Sequence, residues 1–316
     1  MAQPVAVIAG ATGFVGTTLS DELTREGYEI RTIGRSGPVR WDRPGDLVRA
    51  VDGADLVVGL SGKPVHCRYT DRNRDEILRS RTETTRALRQ AIERADAPPP
   101  VWMNASTATI YRYAMDRSQT ESTGEIGEGF SVDVAREWER ELFAGDLPGT
   151  RRVALRITIA LGDGPATNLL FRLARLGLGG PQIDGWWPAH RRYRGIGSDP
   201  SGPGITRGDP THGRQRFSWV HIDDLIRAIA FLRDRDDIAG PVNIASPHPS
   251  DNRELMATLR RVVGMPIGIP AWRFMLEPAM WALRTEPELV LKSRWVLPER
   301  LLEAGFVFSQ PDLEQA

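Results

Sequence analysis

Three glycines near the start of the sequence, Gly10, Gly13 and Gly16, have the spacing of a phosphate-binding turn. They follow an apolar, β-branched run over residues 5–9, which predicts a buried strand, and they lead into apolar residues at helical spacing that end before Gly27. Glycines let the backbone approach phosphate groups, and the free N–H groups and dipole of a helix N-terminus favour negative charge. A strand, a glycine turn and a helix in this order therefore predict a pyrophosphate site for a dinucleotide.

The end of the second predicted strand, residues 28–34, indicates which dinucleotide this is. Enzymes that bind NAD usually carry an acidic residue here, which accepts hydrogen bonds from the ribose 2′-hydroxyl. This sequence has Arg35 and Ser36 instead. A guanidinium can pair with a 2′-phosphate and a serine hydroxyl can donate a further hydrogen bond, whereas the alternative is a solvated loop arginine. The sequence thus favours NADP over NAD.

The composition limits the class of protein. A chain of 316 residues can bury a large core, and its 41 basic and 41 acidic residues leave no net charge that would favour a nucleic-acid or membrane-surface partner. The single cysteine, Cys67, excludes an intrachain disulfide framework and is typical of a reducing compartment. No N-terminal targeting signal and no run of about 18 apolar residues is present, so we expect a cytoplasmic protein. The five histidines lack the spacing of metal ligands, and we expect no metal site.

Apolar strands alternate with amphipathic helices over much of the chain, a pattern that predicts an α/β fold with a doubly wound parallel sheet. We assign residues 1–185 to an NADP-binding domain, which residues 213–245 complete. Residues 246–316 are expected to form a smaller C-terminal cap for the substrate. Residues 186–212 are rich in glycine, proline, arginine and aromatic residues without periodicity, which indicates either a lid or a disordered insertion.

Four motifs, at residues 10–16, 106–111, 155–164 and 219–224, resemble the extended short-chain dehydrogenase/reductases of the epimerase/dehydratase type. A closer resemblance is to a branch usually called epimerase family proteins, in which a Rossmann-type domain is joined to a C-terminal segment of unknown function. The features that carry it lie at residues 41–42, 80–88, 176–180 and 296–306. The glycine turn, the end of the second strand and this resemblance together give the predicted cofactor-binding residues. They are Gly10, Thr12, Gly13, Phe14, Val15, Gly16, Arg35, Ser36, Leu60, Ser61, Gly62, Ala105 and Ser106.

The catalytic pair of the wider family is missing from this sequence. That family uses a Tyr with a Lys four positions on, in the helix after the Ser/Thr strand, and the Lys lowers the pKa of the Tyr so that it exchanges a proton with the substrate. Here Lys63 and Lys292 are the only lysines, neither follows a Tyr at that spacing, and the matching helix has Ser131 and Ala135. The branch resembled here also tends to lack the pair.

Three residues in and directly after the predicted fourth strand, residues 101–110, are the catalytic candidates. Thr107 stands where the family places the hydroxyl that bonds the reacting oxygen, although a strand threonine can also bond only to backbone. Tyr111 and Tyr113 could supply a phenol, but Tyr111 matches a position that is mainly structural in the wider family. Lys63 is either a substituted cation near the nicotinamide ribose or a surface turn lysine, and His221 is either a general base or part of a helix start.

These residues favour an NADP-dependent oxidoreductase or epimerase-like enzyme that acts on a small substrate bearing a hydroxyl or carbonyl group. The alternative is a non-catalytic NADP(H)-binding sensor or scaffold. Dimers are common among similar proteins, so a homodimer stays open. The insertion residues that could close over an anionic or aromatic substrate are Trp186, Trp187, Arg191, Arg192, Tyr193 and Arg194.

Overall fold

A computed structural model describes residues 3–185 and 211–316. The strands are β1 (Val5–Ala9), β2 (Glu29–Gly34), β3 (Val39–Arg40), β4 (Leu56–Gly59), β5 (Val101–Thr107), β6 (Arg151–Ile157), β7 (Ile159–Leu161), β8 (Gln182–Ile183), β9 (Arg216–Phe217), β10 (Trp219–His221), β11 (Gly240–Ile244), β12 (Ser250–Asp251) and β13 (Ala271–Trp272). The helices are α1 (Phe14–Arg25), α2 (Pro44–Val51), α3 (Asp71–Glu93), α4 (Phe130–Phe143), α5 (Pro165–Arg175), α6 (Ile222–Arg233), α7 (Asn252–Val262), α8 (Arg273–Ala282), α9 (Glu288–Leu291) and α10 (Glu299–Glu303), and a 3₁₀ turn covers Ala108–Ile110.

Seven parallel strands form the central sheet in the order β11, β6, β5, β4, β1, β2, β3. The connections change direction at β1, because β2 and β3 lie on one side of it and the later strands lie on the other. The register pairs Ala9 with Gly59 and Gly59 with Asn104, so the carboxyl ends of β1, β4 and β5 lie along one edge. The predicted doubly wound sheet is confirmed, and ligands of such sheets bind outside this edge at the point of reversal.

Helices cover both faces of the sheet. Along β1, Ala6 and Ile8 belong to one buried cluster, whereas Val5, Val7 and Ala9 belong to another on the opposite face. Helices α1 and α6 pack on the first face, and α2, α3 and α4 pack on the second. Because these strands are buried on both faces, they appear in the sequence as continuous apolar runs rather than as alternating patterns.

The chain after β11 forms a smaller region and then returns to the main sheet. Helix α7 packs against α5, β12 pairs with β9, and β13 pairs with β8. Leu301 and Phe306, in and after α10, are buried in the same cluster as α1 and α6. The assignment of residues 246–316 to a separate cap stays a prediction. Among the residues that the structure describes, no helix is long and apolar enough to cross a bilayer.

Candidate active site

The predicted pyrophosphate turn is tightly closed at the carboxyl end of β1. Gly10 has a φ of +87°, and a Cβ built on Gly16 would lie 2.3 Å from the carbonyl oxygen of Gly10. Gly13 donates its N–H to that same oxygen at 3.1 Å and is the N-cap of α1. No side chain in the described ranges caps this helix, so its first N–H groups are open to an anion. The turn therefore fits a pyrophosphate group.

The ends of two neighbouring strands flank this turn. The N–H of Gly10 donates to the carbonyl oxygen of Ile33 in β2 at 3.1 Å, two residues before Arg35. On the other side, the N–H of Leu60 donates to Ala9 at 2.8 Å, and a Cβ on Gly10 would lie 2.9 Å from the carbonyl carbon of Leu60. Three of the four predicted cofactor-binding segments thus lie around one turn.

Arg35 has the position and freedom that a 2′-phosphate requires. Both Arg35 and Ser36 are exposed beyond the end of β2. Within residues 3–185 and 211–316, the Arg35 guanidinium forms no hydrogen bond and no ion pair, whereas its neighbour Arg40 is paired with Asp42. An exposed and uncommitted guanidinium can bind a phosphate without first breaking an internal contact.

The end of β5 brings the fourth predicted segment to the same edge of the sheet. Thr107 is half-buried, and its hydroxyl accepts a hydrogen bond from the N–H of Thr109 at 3.2 Å and donates to the Thr109 hydroxyl at 3.1 Å. Ala105 and Ser106 are buried, and the Ser106 hydroxyl donates to Glu139 at 2.6 Å. Only Thr107 of these three has a side chain at the margin of the site.

Tyr111 lies in a buried polar network. Its hydroxyl donates to the side-chain oxygen of Asn243 at 2.9 Å and accepts from Arg156 at 2.8 Å. Burial raises the pKa of Tyr111, and Arg156 opposes this rise. Arg156 in turn donates two hydrogen bonds of 2.8 Å to Glu139, so the phenol is tied to a buried ion pair. Tyr113 is also buried, with 9% of its surface exposed.

The contacts of Lys63 and His221 favour the structural interpretation of each residue. The Lys63 ammonium pairs with Glu76 of α3 and donates to Asn73 at 3.0 Å. His221 is the N-cap of α6, and its Nδ1 atom accepts a hydrogen bond from the N–H of Asp223 at 3.3 Å. Both side chains are thus engaged in holding a turn or a helix start.

Lys292 is a residue that the sequence analysis missed as a site candidate. It is 2% exposed, and its Nζ atom donates a hydrogen bond of 3.0 Å to the carbonyl oxygen of Thr109, two residues after Thr107. Burial lowers the pKa of Lys292 to about 8; the carboxylate of Glu288 opposes this effect, and Arg294 adds to it. Strongly perturbed pKa values of buried groups cluster at functional sites, which makes Lys292 a site candidate.

A buried carboxylate accompanies Lys292. Glu288 is 4% exposed, and one of its oxygens accepts a hydrogen bond from the Ser131 hydroxyl at 3.2 Å. Its other oxygen, Oε1, has no partner in the described part of the chain. Ser131 is the residue that the sequence comparison above matched to the Tyr of the wider family. The sequence signal was present in the helical spacing of Glu288 and Lys292, but nothing local pointed to Thr109.

Two further expectations from the sequence concern a metal site and a lid. Among the described residues, no group of three His, Cys, Asp or Glu side chains could hold a metal ion. The predicted aromatic and arginine lid at 186–194 lies outside the described residues. The candidate site therefore consists of the glycine turn, Arg35, Thr107 and the Glu288–Lys292 pair.

Comparisons with known proteins identify the family of this chain. The model of the NAD dependent epimerase/dehydratase family matches residues 6–129, and that of a domain of unknown function (DUF1731) matches residues 273–316. The epimerase family protein SDR39U1 of Bos taurus is 30% identical over 98% of this chain and 97% of its own length, and YfhF of Bacillus subtilis is 27% identical over 98% and 95%. A crystal structure of human SDR39U1 with NADPH superposes with a TM-score of 0.81 at 27% identity and covers 99% of this chain and 97% of that one. The chain therefore belongs to the epimerase family proteins, which join an NAD dependent epimerase/dehydratase domain to DUF1731.

Proposed function

We propose that this protein binds NADP(H) and is an oxidoreductase for a small substrate that carries a hydroxyl or carbonyl group. The observation that carries the proposal is the uncommitted guanidinium of Arg35 beside the glycine turn at the carboxyl end of β1. The turn supplies open N–H groups for the pyrophosphate, and Arg35 supplies charge for the 2′-phosphate. The human relative crystallised with NADPH supports the same cofactor.

The cofactor, when bound, supplies or accepts a hydride at its nicotinamide ring. The residues of this chain must then orient the substrate oxygen and move its proton. The Thr107 hydroxyl lies at the end of β5, where a ligand between sheet and C-terminal region would reach it. Its single O–H donates to the Thr109 hydroxyl and would rotate to donate to the substrate oxygen instead. Tyr111 is not used in this scheme, because its hydroxyl is already bonded to Arg156 and Asn243.

Cofactor preference is tested by fluorescence titration of NADPH and NADH into wild type and Arg35→Ala. We expect wild type to bind NADPH more tightly, and Arg35→Ala to weaken NADPH binding roughly 10- to 100-fold, the loss of a charge-assisted contact, with NADH binding unchanged. Arg49→Ala is the matched control, because Arg49 is an exposed arginine of α2 paired with Asp46. Equal affinities of wild type for the two cofactors would contradict the choice of NADP(H).

Catalysis is tested against the sensor alternative with the Thr107→Ala variant and a panel of aldehydes, ketones and quinones. If the protein is an enzyme, wild type oxidises NADPH with at least one of these carbonyl compounds, and Thr107→Ala loses turnover while keeping its NADPH affinity. Tight NADPH binding with no turnover of any carbonyl compound supports the sensor, which the missing Tyr–Lys pair favours. A cytoplasmic location fits either role.

A further inference from the structure

The C-terminal segment that contains Lys292 is firmly attached to the chain that follows β5. The Ser293 hydroxyl donates to the carbonyl oxygen of Ala114 at 2.6 Å, and the N–H of Gln119 donates to Trp295 at 2.7 Å. Arg294 is half-buried and donates a hydrogen bond of 3.0 Å to the carbonyl oxygen of Leu289. These contacts hold the segment against the turn that begins at Thr107, so Lys292 has a fixed position there.

The polar groups that this segment places next to the turn are incompletely paired. Lys292 carries three N–H donors but makes one hydrogen bond within the described ranges, to Thr109. Glu288 Oε1 is buried without a partner, and the two side chains form no direct ion pair although each is more than nine-tenths buried. Burying a cation and a carboxylate with so few partners is costly. A ligand hydroxyl or a water between them could accept from the ammonium and donate to the carboxylate.

We propose that Lys292 is the proton donor and acceptor of this site and that the Glu288 carboxylate favours its ammonium form. DUF1731 would then supply the acid–base group that α4 lacks, since Ser131 stands at the position of the family tyrosine. The inference rests on the proposed oxidoreductase function and names the group that moves the substrate proton.

The proton step balances without a further reactant. During reduction of a carbonyl substrate, hydride addition at carbon moves the C=O electron pair onto oxygen, and that oxygen takes one proton from the Lys292 ammonium. The oxygen becomes the product hydroxyl, and the neutral amine recovers its proton from water. In the oxidative direction the neutral amine accepts the hydroxyl proton. A pKa near 8 suits both directions, because the two forms of Lys292 are then populated near neutral pH.

The charged groups that act on Lys292 come from its own segment. Glu288 favours its ammonium form, and Arg294 opposes that form. Reduction requires the ammonium, so the rate should fall as the pH rises above about 8. Removing the Glu288 charge should lower the pKa of Lys292 and move this limb of the pH profile to lower pH. A lysine with only a structural role predicts no such movement.

The first test measures Lys292 directly. Because the chain has two lysines, protein labelled with ¹³C at lysine Cε gives two side-chain signals, and Lys63→Arg leaves the signal of Lys292 alone. We expect that signal to titrate near pH 8 and to move to lower pH in Glu288→Gln. A signal that stays in the ammonium position beyond pH 10 would overturn the inference without any assay of activity.

The second test uses turnover of NADPH with a carbonyl compound that wild type reduces. Lys292→Arg keeps the charge and a donor for Thr109 but cannot release its proton, so we expect kcat to fall about 100-fold with NADPH affinity and melting temperature retained. Lys63→Arg is the matched control and should keep the wild-type rate. If Lys292→Arg does not fold, the shift of the pH profile in Glu288→Gln tests whether Lys292 transfers the proton.

The outcomes separate this inference from the proposed function. Wild-type turnover that persists in Lys292→Arg overturns the inference alone. A wild type that binds NADPH but reduces no carbonyl compound overturns the oxidoreductase function, and the inference with it. Failure to bind NADPH overturns the cofactor assignment, which the titration of Lys292 does not depend on.

Discussion

A Cβ built on Gly16 would lie 2.3 Å from the carbonyl oxygen of Gly10, so a residue of α1 and the turn that precedes it are in direct backbone contact. Gly16→Ala must push these two segments apart, and overpacking of this kind costs about 1–3 kcal/mol. We expect a lower free energy of unfolding in urea and weaker binding of NADPH. Gly13→Ala is the control for stability, because a Cβ there would meet the same oxygen at an ordinary 3.5 Å. Equal stability of both variants would argue against the close contact.

Tyr111→Phe should reveal a structural tyrosine rather than a catalytic one. The substitution leaves Arg156 and Asn243 without the hydroxyl that each contacts, and a buried polar group without its partner costs about 1–3 kcal/mol. We expect the free energy of unfolding to fall by that amount while NADPH affinity and kcat at a stabilising temperature are kept. Full stability with lost turnover would instead restore Tyr111 as a catalytic residue.

Local sequence patterns were sufficient for most of the sheet, because each buried strand is a short apolar run between helices. They failed where a single side chain changes the backbone. The apolar pattern extends β5 to Ile110, but the strand ends at Thr107, whose hydroxyl accepts from the N–H of Thr109 and starts a 3₁₀ turn. The threonine hydroxyl offers the backbone a hydrogen bond that competes with those between the strands of the sheet. Strand propensities do not include this effect.

The site was predicted only as far as its local motifs extend. The glycine turn and Arg35 are each read from a few consecutive residues, and the structure places them side by side. The contact between Lys292 and Thr109 joins residues 183 positions apart, and no periodicity or spacing can express it. The absence of a Tyr–Lys pair is therefore visible in the sequence, whereas the contact of Lys292 with the turn after β5 is not.

Asp224→Asn should loosen the attachment of the C-terminal tail to α6. The buried Asp224 carboxylate accepts hydrogen bonds from the N–H and hydroxyl of Ser309 and from the N–H of Gln310. Burial raises the pKa of Asp224, but these donors outweigh it and hold the pKa below the usual 3.8. Its contribution to stability is thus complete above about pH 4 and is lost as the pH falls below the folded-state pKa.

We therefore expect Asp224→Asn to cost about 1.5–3 kcal/mol at pH 7, the value of hydrogen bonds to a charged group, and less as the pH is lowered through 3. Urea denaturation of wild type and variant at pH 7, 5, 4 and 3 measures this. Asp223→Asn is the matched control, because Asp223 is the adjacent residue and its side chain is 62% exposed. A stability difference that does not depend on pH would show that the Asp224 charge is not what holds the tail.

Glu139→Gln should be the most destabilising of these substitutions, because it strands a buried cation. Arg156 donates two hydrogen bonds to Glu139 and is 8% exposed, and the same carboxylate accepts from the Ser106 hydroxyl. Removing one partner of a buried ion pair costs about 3–5 kcal/mol. Glu137→Gln, two residues earlier and on the exposed side of α4 in a pair with Arg140, should cost less than about 1 kcal/mol. The Glu139–Arg156 pair supports the strands that end at Thr107 and Ile157. We therefore expect Glu139→Gln to weaken NADPH binding only in proportion to the fraction of protein that it unfolds. A full loss of binding in the folded variant would place this pair in the site itself.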